Sequence, residues 1–136
     1  MYRAKVSFET IAEQEADFLT PPQQLEQALP EGTLHRWQEL VDLMAALFEV
    51  PTAIITRAQL PDIEIFKANA NVESPYKAGM AVPIAGHYCE EVIKSRQPLL
   101  VEDARRSEQW CNAPELEEGM VSYMGVPVCW PDGTVF

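Results

Sequence analysis

The stretch from Tyr88 to Phe136 constrains the fold more than any other, because its patterning keeps changing within a short length. His87 to Arg96 has the spacing of a short amphipathic helix, with Cys89, Val92 and Ile93 on one side. Glu90 and Lys94 pair four residues apart on the wet side. Pro98 closes that helix, and Leu99, Leu100 and Val101 read as a short buried strand. Glu102 to Gly119 has no clean periodicity, is rich in acids, and holds Trp110, Cys111 and Leu116 as its apolar anchors. From Val121 to Trp130 the pattern returns to strand, with Pro127 implying a bulge or an edge position. Pro131-Asp132-Gly133-Thr134 predicts a hairpin turn, since Asp-Gly tolerates the positive φ angles required. The sequence ends at Phe136, just inside the strand that this turn introduces. Helix, strand, irregular connection and hairpin, in that order, predict one half of a mixed α/β module with a pocket under the connection.

Upstream, the clearest helix runs from Thr33 to Phe48. Thr33 is placed to act as N-cap, and Leu34, Trp37, Leu40, Val41, Met44, Leu47 and Phe48 follow the helical period. That broad apolar stripe covers a sheet or another helix, and Pro51 forbids its continuation. Trp37 and Met44 read as core, or else as an interface between two copies. Thr52 to Arg57 is rich in β-branched residues and reads as a strand, Pro61-Asp62 as a turn, and Ile63 to Ala68 as the hairpin partner. Its alternation sets Ile63 and Ile65 on one face, Glu64 and Phe66 on the other. Asn69 to Lys77 has loop composition. Gly79 to Gly86 is expected to be a further loop, with Pro83 and its glycines precluding regular structure.

Residues 1–32 form a separate opening arm. Phe8, Ile11, Phe18 and Leu19 suit a short amphipathic helix ended by Pro21 and Pro22, and a second weak helical piece covers Gln23 to Leu29. Its run of acids reads as a partner-binding arm or, more plainly, as a solvated helical face.

A chain of 136 residues sets a single-domain expectation. With 21 acidic against 10 basic residues the net charge is −11, which argues against nucleic-acid binding and against docking on anionic lipid. No apolar run approaches the roughly 20 residues of a membrane helix, and acids interrupt any signal-like apolar core at the N-terminus. Three cysteines, an odd number in a chain that is not Cys-dense, favour a reduced, cytoplasmic setting.

Four ordered motifs then carry a resemblance. They are Tyr88-Cys89-Glu90, the run Gln97 to Ala104, the run Met120 to Val128, and the run Trp130 to Phe136. Together they resemble a GAF domain, and more narrowly the GAF domains of bacterial sensor histidine kinases and diguanylate cyclases. The likeness spans about residues 30–136 and places the domain at 33–136. It implies an α+β, profilin-like fold, an antiparallel sheet with helices packed on one face and a small-molecule pocket on the other. In the family the strand after Asp132-Gly133 continues through a Gly-rich apolar run, which this sequence lacks. The last central strand is therefore expected to be missing, leaving backbone unpaired unless the sequence is a fragment or a neighbouring chain fills the place.

Chemistry is sparse. His87 and Cys89 are close, but Cys111 and Cys129 are isolated, so the spacing does not suit a structural zinc site, and three buried cysteines acting as small hydrophobes are expected. Related GAF-fold enzymes reduce free methionine sulfoxide with cysteines. Cys89 and Cys111 fall near two of those positions, but Gly79 stands where the resolving cysteine would be. A covalently attached bilin is not expected, because Asn112 follows Cys111. The Asn-Lys-x-x-Phe signature of cyclic-nucleotide binding is absent, and a lone His87 or His35 is a weak haem ligand. Nothing pairs a nucleophile with a base and an orienting group.

The resemblance implies a non-catalytic sensory or regulatory domain with no cofactor or metal, dimeric, acting on an attached output domain. Its candidate ligand-binding residues are Tyr76, Tyr88, Cys89, Trp110, Asn112 and Tyr123, for an unknown small molecule. The alternatives are a thiol-dependent free methionine sulfoxide reductase and a pure dimerisation module with no ligand.

Overall fold

The computed structural model describes residues 29–136. The expectations for the arm up to Gln23–Leu29 lie almost wholly outside these residues. Helix α1 (Thr33–Phe48) begins and ends where the apolar period predicts. Its start is made differently. Gly32, at φ 83°, occupies the N-cap, and its carbonyl accepts from Arg36 N at 3.0 Å, so Thr33 is the first helical residue rather than the cap. At the other end Glu49 takes the left-handed conformation (φ 53°), donating to Ala46 O while Val50 N donates to Ala45 O. That double closure satisfies carbonyls that the helix leaves open, and Pro51 follows it.

Strands β1 (Ile54–Gln59) and β2 (Asp62–Ala68) form the expected hairpin, with a register shift between Ile55 and Thr56. The segment expected to be a loop provides a third strand. β3 (Ala81–Pro83) pairs antiparallel with β2, Ile63 opposite Val82, and the pairing extends through Ile65 N to Met80 O and Gly79 N to Ile65 O, each 2.8 Å. Pro83 is compatible because β3 is an edge strand in the order β1-β2-β3.

Helix α2 (Tyr88–Ser95) leads to β4 (Leu99–Val101), which pairs antiparallel with β5 (Tyr123–Gly125) in a separate two-stranded sheet. Between them the irregular connection holds two 3₁₀ turns, Ala104–Arg106 and Pro114–Leu116. The long strand expected over Val121 to Trp130 is thus reduced to β5 and an isolated bridge between Cys129 and Val135. The final turn forms as predicted, with Gly133 at φ 88° and Trp130 N donating to Thr134 O at 2.7 Å.

Phe136 links the outer edge of β1 to Val128, in the segment that follows β5. Phe136 N donates to Val128 O at 2.7 Å, and Phe136 O accepts from Ala58 N at 2.8 Å. That contact is the one backbone hydrogen bond on the outer edge of β1 among the described residues.

The alternation of β2 sorts the packing. On one face, Phe66 meets Trp37 of α1 and Phe136 in mutual edge-to-face contacts with centroids 5.1–6.0 Å apart. Arg57 lies over the Phe66 ring and bonds Glu64, its cross-strand partner, at 2.6 Å. On the other face Ile63 packs with Ala58, Ile84, Val135 and Ile93 of α2. A second cluster joins Tyr88, Val101, Ala104 and Ala113.

Candidate functional site

A cleft of about 780 Å³ opens between the two sheets, lined by the Ile63/Ile65 face, α2 and β5, and also by Trp37, Leu40, Met44 and Phe48 of α1. Its wall is mainly apolar, and its polar side chains are those of Thr52, Thr56, Tyr76, His87, Tyr88, Cys89, Glu102, Glu115, Ser122 and Tyr123. An apolar concavity with a few convergent polar groups is the ordinary form of a small-molecule site.

The helix α2 presents Tyr88 and Cys89 to this cleft because Val92 and Ile93 bury the same face one turn on. On its wet side Glu90 accepts from Lys94 at 2.6 Å and from Gly86 N at 2.7 Å, the pairing its i,i+4 spacing predicts. Tyr88 is 1% exposed. Its hydroxyl donates to Met120 O at 3.2 Å, and its ring stands edge-on to Trp110 and tilted against Tyr123. Cys89 Sγ is 3.7 Å from the Tyr123 hydroxyl.

Tyr76 reaches the cleft from a loop that buried polar side chains pin in place. Ser74 Oγ accepts from Thr52 Oγ1 at 2.9 Å and from Tyr76 N at 3.3 Å. Asn69 Oδ1 accepts from Ala53 N at 2.9 Å, while its amide donates to Pro51 O. Such local side-chain-to-backbone bonds explain why a segment of loop composition keeps one shape. Gly125 has its own reason. A Cβ there would collide with the Tyr123 ring, which folds back along its strand, so only glycine leaves the ring its place.

The candidate ligand-binding residues divide. Tyr76, Tyr88, Cys89 and Tyr123 line the cleft together. Trp110 packs on Tyr88 outside the cleft wall, and Asn112 is exposed and away from it. The cysteines also differ from expectation, since Cys111 and Cys129 are exposed and Cys89 is half-buried. Cys111 sits on the outward side of the irregular connection, and the bridge at Cys129 leaves its side chain uncovered. Among the described residues, no group of three or more His, Cys, Asp or Glu is placed to hold a metal ion. Nor is any described helix long and apolar enough to cross a membrane.

Sequence reasoning missed Glu115. It stands in the second 3₁₀ turn, is 5% exposed, and accepts from Tyr88 N, the first amide of α2, at 2.8 Å. A carboxylate at a helix N-terminus satisfies an open donor and opposes the helix dipole. Burial, with the charge of Glu115 as a further cause, raises the titration of its neighbours. The Tyr76 phenol is pushed up to about 12, and the Tyr88 phenol, Tyr123 phenol and Cys89 thiol are raised as well. Burial therefore keeps these hydroxyl and thiol groups of the cleft in their neutral forms at neutral pH.

Fold and cleft define an α+β module built of antiparallel sheets around an internal small-molecule-sized space. The family model of the GAF domain matches residues 34–136. The chain belongs to the GAF family, a family of sensory and regulatory domains. A comparison with curated proteins returned no match.

Proposed function

We propose that this is a non-catalytic sensory domain of a bacterial signalling protein, binding a small molecule in the cleft and controlling an attached output domain of the histidine kinase or diguanylate cyclase kind. The observation that carries the reading is the convergence of Tyr76, Tyr88, Cys89, Tyr123 and Glu115 on one mainly apolar cleft within a GAF-family fold. A ligand acts on such a domain by binding one of two arrangements better than the other. The domain works in the cytoplasm as a homodimer, with α1 as the contact between copies. On α1, Leu43 and Leu47 are 62% and 71% exposed and one turn apart, forming an apolar stripe. A Leu43→Glu, Leu47→Glu double variant should shift the particle to monomer mass in light scattering.

The thiol-dependent reductase reading is less supported by the placement of the cysteines. Cys89 is in the cleft, its thiol raised by burial away from the reactive thiolate, while Cys111 and Cys129 are outside the cleft wall. Ligand-observed NMR against a metabolite library tests the sensory reading. Binding that disappears in a folded Cys89→Phe variant supports it. Binding that survives there, no binding at all, or sulfoxide turnover by the wild type overturns it.

A further inference from the structure

Helix α1 packs on the Phe66 face of the β1-β2-β3 sheet and α2 on the opposite, Ile63 face. The cleft is nevertheless lined from both sides, by Leu40, Met44 and Phe48 of α1 and by Cys89 and Val92 of α2. A cavity walled by helices on opposite faces has to pass through the plane of the strands, and it does so along the outer edge of β1. At one end a single residue shows the width of that opening. Phe136 donates to Val128 O at 2.7 Å and accepts from Ala58 N at 2.8 Å, so the opening there is one strand wide. Beyond Phe136 both edges are open. Thr56 stands opposite Ile65, whose N–H and C=O both turn to the β3 side, so those of Thr56 turn outward. Among the described residues no backbone group bonds Thr56 there, and none bonds Val126, two residues before Val128.

Unpaired backbone along two facing edges is recognised by another peptide backbone in extended form. The side chains say of what kind. Exposed apolar residues border the opening, Leu40 and Phe48 on α1, Leu100 on β4, Met124 and Val126 on the far edge. The carboxyl and imidazole groups of the lining, on His87, Glu102 and Glu115, belong to neither edge. A segment entering here therefore has to be uncharged and apolar on both of its faces. This chain's longest uncharged apolar runs, 43–48, 50–56, 78–89 and 119–131, are already built into its helices, its strands and the far edge itself. In residues 1–28 a charge or a proline interrupts every run after at most three residues.

We propose that the opening between β1 and residues 124–128 is a strand-acceptor site for a partner protein, taking one extended, uncharged apolar segment that pairs with Thr56 on one side and Val126 on the other. The inserted strand separates the α1 side of the cleft from the space against α2, where Cys89 and Tyr123 meet. That space stays available to a small molecule, and strand capture needs no ligand there.

The test adds an acetylated, amidated Val-Ala-Val-Ala-Val-Ala peptide to the whole chain and follows amide hydrogen exchange. At saturation the Thr56 and Val126 amides should exchange at least about tenfold more slowly. The same peptide N-methylated at its alanines cannot donate along one edge and should bind at least about tenfold more weakly. Val126→Lys should abolish the protection of Thr56, whereas Val72→Lys, at a 93% exposed position outside the cleft, should leave it intact. Equal binding of the methylated peptide overturns strand pairing, and that comparison needs no variant to fold. No protection of Thr56, or protection that persists in Val126→Lys, overturns the site. Slow exchange of Thr56 without peptide overturns the partner as occupant. If dilution then speeds it, the place belongs to a second copy; if not, to another segment of the same chain.

Discussion

Tyr88, Cys89 and Tyr123 were legible as neighbours in one cleft wall because each belongs to a motif whose position in the fold is set by a helix or strand. Glu115 was not, because nothing local separates it from Glu117 and Glu118. Its burial comes from Pro114 and the 3₁₀ turn placing it beneath the N-terminus of α2, a contact between residues far apart in sequence. Asn112, two residues before Pro114, turns outward instead. The titrations of the cleft residues make a prediction at this scale. The Cys89 thiol and the three phenols are raised in the folded state above ordinary values of 9.0 and 10.0. The folded chain therefore holds these protons more tightly than the unfolded chain. That contribution to stability is complete below about pH 9 and is lost as pH rises through the folded-state values. Urea unfolding between pH 8 and about 11 should show this decline, with a shallower slope in Tyr123→Phe. An unchanged slope would remove Tyr123 from the account.

At the scale of elements, α1, the β1–β2 hairpin and β4 were readable because long or strongly alternating patterns express burial directly. β3 was not. Ala-Val-Pro is too short for a period, and its pairing is completed by Gly79 and Met80, whose own pattern says loop. The cap of α1 was misread for a related reason, since Gly32 and Thr33 are both plausible and the choice is made by backbone φ. The far end of α1 offers a direct check. Glu49 adopts a left-handed conformation that costs an L side chain about 1 kcal/mol and a glycine much less. Glu49→Gly should raise unfolding free energy by about that amount in urea titration, with cleft chemistry unaltered. Destabilisation would mean that the Glu49 side chain has contacts beyond the cap.

For the molecule as a whole, Phe136 is the residue through which its parts meet. It touches Trp37 of α1, Phe66 of β2 and Trp130 of the last turn, and its backbone bonds both β1 and Val128. Sequence patterning exposed the hairpin turn that delivers it but not this junction, which depends on where two separate sheets come to rest. Phe136→Ala should cost about 3–5 kcal/mol, the usual range for emptying a buried aromatic site. Coincident loss of near-ultraviolet signal from Trp37 and Trp130 would show that helix and turn come apart together. The central claim, that this GAF-family cleft is a binding site, is tested most directly by mapping amide shifts with the tightest hit from a metabolite screen. The account predicts the largest changes at Tyr76, Tyr88, Cys89, Glu115 and Tyr123. Changes confined to the outer surface around Cys111 and Asn112, or to the exposed face of α1, would contradict it.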